Sequence, residues 1–162
     1  CFRAQFTEPP MAELALPSIE VFENFAEVIG IEGYDISIRH QGYLFVTDDE
    51  DQIDELKAAV AKHRTLGVTD SEFLDHDELL ARFPYLSDRV VGATFRQRDG
   101  WLSCHEATQG FAKCCDARFL LRTNATDVLT DAQGVCGVDT DRGSIATRTV
   151  VSTIAPSQMS RR

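Results

Sequence analysis

The sequence predicts a mixed α+β fold built on a largely antiparallel sheet with flanking helices. Three observations lead there. Apolar residues recur at helical spacing in Ser18–Ile29 and Ile53–His63. Runs that alternate or are rich in β-formers occur at Tyr43–Val46 and Val90–Arg96. Two short runs, Gly134–Val138 and Ser144–Thr147, flank an Asp141-Arg142-Gly143 turn as an antiparallel hairpin would.

Taken in chain order, Pro9, Pro10 and Pro17 limit regular structure near the start. The first helix is expected from Ser18, its N-cap, to Gly30, its stop, with the Phe22 and Phe25 side packed inward. Asp35–Thr47 reads as two strands or one bent strand, Ile36 and Ile38 alternating with polar residues and Gly42 marking a bulge or close approach. The carboxylates of Asp48–Gln52 suit a helix N-terminus, and the helix that follows ends at Gly67. Val68–Leu74 is short and extended. Asp75 or Asp77 caps a helix that Pro84 forbids to continue. Val90–Arg96 reads as a half-buried strand, Asp99-Gly100 as a turn and His105–Ala117 as a helix. Phe119–Leu121 and Thr126–Leu129 are short strands. The β-branched run Thr149–Ile154 fits a strand covered on both faces.

At 162 residues, 43% hydrophobic and 26% charged, the chain has ordinary globular usage. A net charge of -10 argues against nucleic acid as a partner, because phosphates are held mainly by Lys and Arg. No apolar run approaches the ~18 residues of a membrane span. The five cysteines, Cys1, Cys104, Cys114, Cys115 and Cys136, lack the C-x-x-C spacing of a zinc knuckle. Together with the lack of an export leader, they are expected to be reduced, partly buried thiols of a cytoplasmic protein. His63 and His76 have no zinc spacing, Asp48–Asp51 lacks the alternation of a calcium loop, and neither G-x-S-x-G nor a P-loop occurs.

Four stretches taken together resemble a known family. They are Cys1-Phe2-Arg3-Ala4-Gln5-Phe6 (R-x-Q-F), Gln41-Gly42-Tyr43-Leu44-Phe45-Val46 (G-Y-L-F), Asp99-Gly100-Trp101 leading through Cys104 to His105-Glu106 (D-G-x-x-x-P), and Gly137-Val138-Asp139-Thr140 to Gly143-Ser144-Ile145 followed by Val150-Val151. In order and spacing they are similar to the interior of an FAD-dependent oxidoreductase of the D-amino-acid oxidase superfamily. The branch of sarcosine oxidase, dimethylglycine dehydrogenase and the proline dehydrogenase β-subunit is the nearest likeness. The resemblance implies a flavoprotein oxidising the C–N bond of a small secondary amine or amino acid such as sarcosine, glycine, proline or dimethylglycine. Residues 30–100 would be the substrate-binding sheet and helices. Residues 101–154, with the hairpin and final strand, would be part of the FAD-binding layer.

The sequence also departs from that pattern. The ten glycines contain no G-x-G-x-x-G, Cys104 replaces the usual proline, about Ile154 stands where the family has a glycine beside the flavin, and Ala155–Arg162 matches nothing in it. The expectation is a fragment that lacks the nucleotide-gripping half, binds FAD negligibly and is inactive alone. A partner subunit or a homodimer would then complete it. The competing reading is a non-catalytic binding or subunit-interaction module.

The resemblance assigns roles to two residues. Arg3 would hold the substrate carboxylate above the flavin, a task suited to a planar guanidinium; the bland alternative is a solvated terminal arginine. Thr126 would meet the adenine side of FAD through its main chain; the alternative is an ordinary strand residue. His105 and Glu106 read as a helix-start surface pair rather than a flavin anchor, and Cys104 as a small buried or half-buried side chain rather than a reactive thiol. Tyr43 and Trp101 are aromatics for packing or for lining a pocket.

Overall fold

The computed structural model describes residues 1–153. It divides into two compact units, one ending at Asp116 and one beginning at Ala117. The fold is mixed α and β, with two three-stranded antiparallel sheets.

The first unit is organised on β1 (Tyr43–Thr47), β2 (Glu72–Asp75) and β3 (Gly92–Arg96), in the order β1-β3-β2. The antiparallel registers pair Tyr43 with Arg96 and Glu72 with Phe95. Every residue of β3 is buried, so this strand is the centre of the sheet and not the half-buried strand its alternation suggests. Gly42 enters β1 with φ 85°, and a side chain there would strike the Phe95 ring.

Helix α1 spans Pro9–Glu23, and a break at Asn24 separates it from α2, Phe25–Ile29. The prolines do not prevent a helix. Pro9 and Pro10 open it, where no N–H is needed, and Pro17 lies inside it. Ser18 is consequently not a cap; its hydroxyl donates to the Leu14 carbonyl at 2.6 Å. Gly30 does end α2.

The expected strand at Ile36–Ile38 does not form. Ser37 takes a left-handed φ of 56°, with its N–H donating to the Asp35 carboxylate at 2.7 Å, and only Arg39 makes an isolated bridge, to Trp101. Asp49 accepts from the Asp51 N–H in a 3₁₀ turn, Glu50–Gln52, that feeds α3, Ile53–Thr65. Asp75 closes a capping box with Glu78 at the start of α4, His76–Arg82. Ser103 caps α5, Cys104–Cys114, by accepting from the Glu106 N–H.

Three clusters make the core of this unit. Leu74, Leu79, Val90, Ala93 and Phe95 fill the space around β3 and α4. Phe2, Ala4, Ile19 and Val68 bury the N-terminal segment with α1. Phe25, Ile29, Ile36 and Ala107 join α2 to α5.

The second unit is a meander of β4 (Ala125–Asp131), β5 (Gly134–Thr140) and β6 (Gly143–Ala146). The expected hairpin is present, Val138 pairing with Ile145. Two expected strands are not. Phe119–Leu121 has no ladder partner among the described residues, its apolar side chains standing exposed. Thr149–Thr153 is also irregular, and Val151 is exposed; the double covering its composition calls for is not supplied by the described residues. Ile154, the end of that run, and the tail Ala155–Arg162 lie outside the described residues.

Candidate functional site

Arg3 sits in a short extended segment that is locked on both sides. Phe2 N–H donates to the Gly100 carbonyl at 2.8 Å, and Gly100 N–H returns to the Phe2 carbonyl at 3.0 Å. Ala4 N–H donates to Asp99 Oδ1 at 2.9 Å. The side chains of Phe2 and Ala4 are buried, whereas Arg3 is half-buried. A frayed terminal arginine is not what the geometry shows.

The Arg3 guanidinium lies over three rings, 4.8 Å from the Phe6 centroid, 4.9 Å from Phe45 and 5.9 Å from Tyr43. Tyr43 and Phe45 alternate along β1, which puts both on one face, with ring centroids 5.0 Å apart. Such stacking orients a guanidinium without neutralising it. Among the described residues no carboxylate forms a salt bridge with Arg3. The result is an oriented cation, partly desolvated by aromatic carbon and open to a planar anion.

Beneath the segment runs a buried polar network that sequence reasoning missed. Asp99, fully buried, accepts from Arg96 at 2.7 Å and from Gln5 Nε2 at 3.1 Å as well as from Ala4. Gln5 also donates to the Tyr43 carbonyl at 2.9 Å and accepts from the Thr94 hydroxyl at 2.8 Å. Arg96 reaches Asp70 at 2.7 Å. Burial opposes the charge of Arg96, but the hydrogen bonds and charges of Asp70 and Asp99 outweigh it and hold its pKa above the ordinary value. Gln5 and Asp99 both stand inside the motifs quoted above, R-x-Q-F and D-G, which is the signal that could have paired them. His63, buried nearby, bonds the Ser71 hydroxyl at 3.0 Å; desolvation lowers its pKa, against a raising pull from Asp99.

The other candidates fall elsewhere. His105 and Cys104 are exposed at the start of α5, while Glu106 accepts from the Ser37 hydroxyl at 3.0 Å. Trp101 is partly exposed. All five cysteines are free, but Cys1, Cys104, Cys114 and Cys115 are exposed and not the partly buried thiols expected, and no cluster of metal-ligating side chains occurs among the described residues. No described helix is long and apolar enough to cross a membrane. Thr126 belongs to the second unit. It is exposed on β4 at a bulge between Ala125 and Asp127, so it faces no partner residue in the ladder.

The sequence profile of the family described as FAD dependent oxidoreductase (DAO) matches residues 1–158. The chain belongs to this family. No curated protein matches it at a significant level. Among solved structures it is similar to L-proline dehydrogenase from P. horikoshii, at 25% identity and a TM-score of 0.78 over 90% of this chain and 38% of that one. It is likewise similar to glycine oxidase from Bacillus cereus, at 28% identity and 0.70 over 85% of this chain and 39% of the other. Glycine oxidase from Geobacillus kaustophilus shows 25% identity and 0.72 over 87% and 39%. The chain thus spans about two fifths of the length of these neighbours.

The family uses FAD, and the described helix N-termini can be tested for a pyrophosphate seat. Such a seat needs free N–H groups and no competing negative charge. Helices α2, α3, α4 and α5 all carry acidic residues in their first turn, and Pro9 and Pro10 remove N–H groups from α1. The N-termini of the described helices therefore do not fit the pyrophosphate of FAD.

Proposed function

We propose that this chain supplies the substrate-carboxylate grip of a flavin-dependent oxidoreductase acting on the C–N bond of a small amino acid or secondary amine, such as sarcosine, glycine, proline or dimethylglycine. The observation that carries the reading is Arg3, oriented on three aromatic rings and with no carboxylate partner among the described residues. Its guanidinium would take the substrate carboxylate bidentately, and the rings of Tyr43 and Phe45 would exclude water on the apolar side. In such enzymes the protein binds and orients while the flavin carries the oxidation. The chain alone would be inactive and would bind FAD negligibly, a partner subunit or second copy being the proposed complement. Thr126 would contribute main-chain contacts on the adenine side.

Titration calorimetry of the full chain with N-methylglycine, L-proline and glycine tests the grip. Arg3→Gln is expected to weaken binding by about 2 kcal/mol, roughly 30-fold, and glycinamide, which lacks the carboxylate, to bind neither form. Equal affinity of the two forms for N-methylglycine would defeat the assignment and leave the interaction-module reading.

A further inference from the structure

We infer that Asp99 is the positioning residue of the carboxylate site, setting the place of Arg3 through the backbone on either side of it; the inference rests on the grip proposed above. Asp99 and Gly100 are consecutive, and between them they hold both chain neighbours of Arg3. Gly100 exchanges two hydrogen bonds with Phe2, and Asp99 Oδ1 accepts from Ala4 N–H. Asp99 Oδ2 then accepts from Gln5 Nε2, whose second hydrogen bond reaches the carbonyl of Tyr43, a ring under the guanidinium. One buried carboxylate thereby ties the segment that carries the cation to the strand that carries its aromatic support.

The network also leaves Arg3 free. Asp99 is satisfied by Arg96, Ala4 and Gln5, and Asp70 by Arg96, so neither carboxylate draws on Arg3 for charge. An asparagine at position 99 keeps the shape but presents an amide donor on one side. Either Ala4 N–H or Gln5 Nε2 then loses its acceptor, and the segment is released locally. A role confined to folding would leave ligand affinity untouched in any variant that folds.

The experiment compares the full wild-type chain with Asp99→Asn and with Gln5→Met, which keeps Asp99 and Arg96 paired. N-methylglycine affinity is read by calorimetry, the ring-current shift of the Arg3 δ-protons by NMR, and the fold by far-UV circular dichroism. The expected result is at least about a 10-fold loss of affinity and a collapsed Arg3 shift in both variants, with the helical signal unchanged. Wild-type affinity and an intact shift in the variants would overturn the positioning role while leaving the grip standing. If Asp99→Asn does not fold, Gln5→Met decides by the same readings. Absence of N-methylglycine binding by the wild type overturns the grip and the positioning role together.

Discussion

An arginine stacked on rings loses much of its rotational freedom; Arg3 shares this with Arg82, but Arg82 is also paired with Glu72, whereas Arg3 has no carboxylate partner among the described residues. Arg98 and Arg89, by contrast, are answered by Glu23 and Asp48. Exposed pairs of that kind contribute little to stability. What fixes Arg3 is close approach of backbone to backbone. A Cβ on Gly100 would overlap the Arg39 carbonyl, because Arg39 and Trp101 exchange hydrogen bonds across the same place. Gly100→Ala is therefore expected to destabilise the first unit by about 3 kcal/mol, read as a lowered urea midpoint at unchanged slope. A midpoint within error of wild type would show that the Arg39 backbone can yield.

At the scale of elements, local sequence signals were strong where one residue type did one job. The Asp75 cap and the helix ends at Gly30 and Gly67 all lie where capping chemistry places them. Asp75→Ala removes the acceptor for the Glu78 N–H at 3.0 Å and should cost about 1 kcal/mol in a thermal or urea melt. No change would mean that packing of Leu79 alone holds α4. Local signals misled where tertiary contacts overrode them. Burial of Ala12 and Ile19 sustains α1 through Pro17, and Ser37 breaks a pattern that alternation alone called a strand. The aromatic pair on β1 was legible from its alternation. The Asp99–Gln5–Arg96 network was not, because its partners are brought together by folding and no local spacing announces them.

For the molecule as a whole, the polar interior makes stability depend on pH. His63 has its pKa lowered by burial below the ordinary 6.5, so the unfolded chain takes up a proton that the fold resists. The contribution of His63 is complete above the unfolded value and is lost as the pH falls toward the depressed folded one. Melting temperatures of the wild type should fall on acidification below about pH 6.5, and His63→Asn should flatten that part of the profile. Parallel profiles would assign the acid sensitivity to the carboxylates instead. The two units report the family resemblance in different ways. The hairpin of the second was readable from its turn, whereas the final β-branched run has no partner among the described residues to make it a strand.

The hydrogen bond between Ala4 and Asp99 joins positions 95 apart in the chain. During synthesis the ribosome must therefore extrude nearly the whole first unit before the Phe2–Gln5 segment can settle. Until then that segment carries Phe2 and Phe6 uncovered, and contacts of such long sequence separation close slowly. The residue that would seize the substrate is thus seated only after a residue some 95 positions beyond it has emerged.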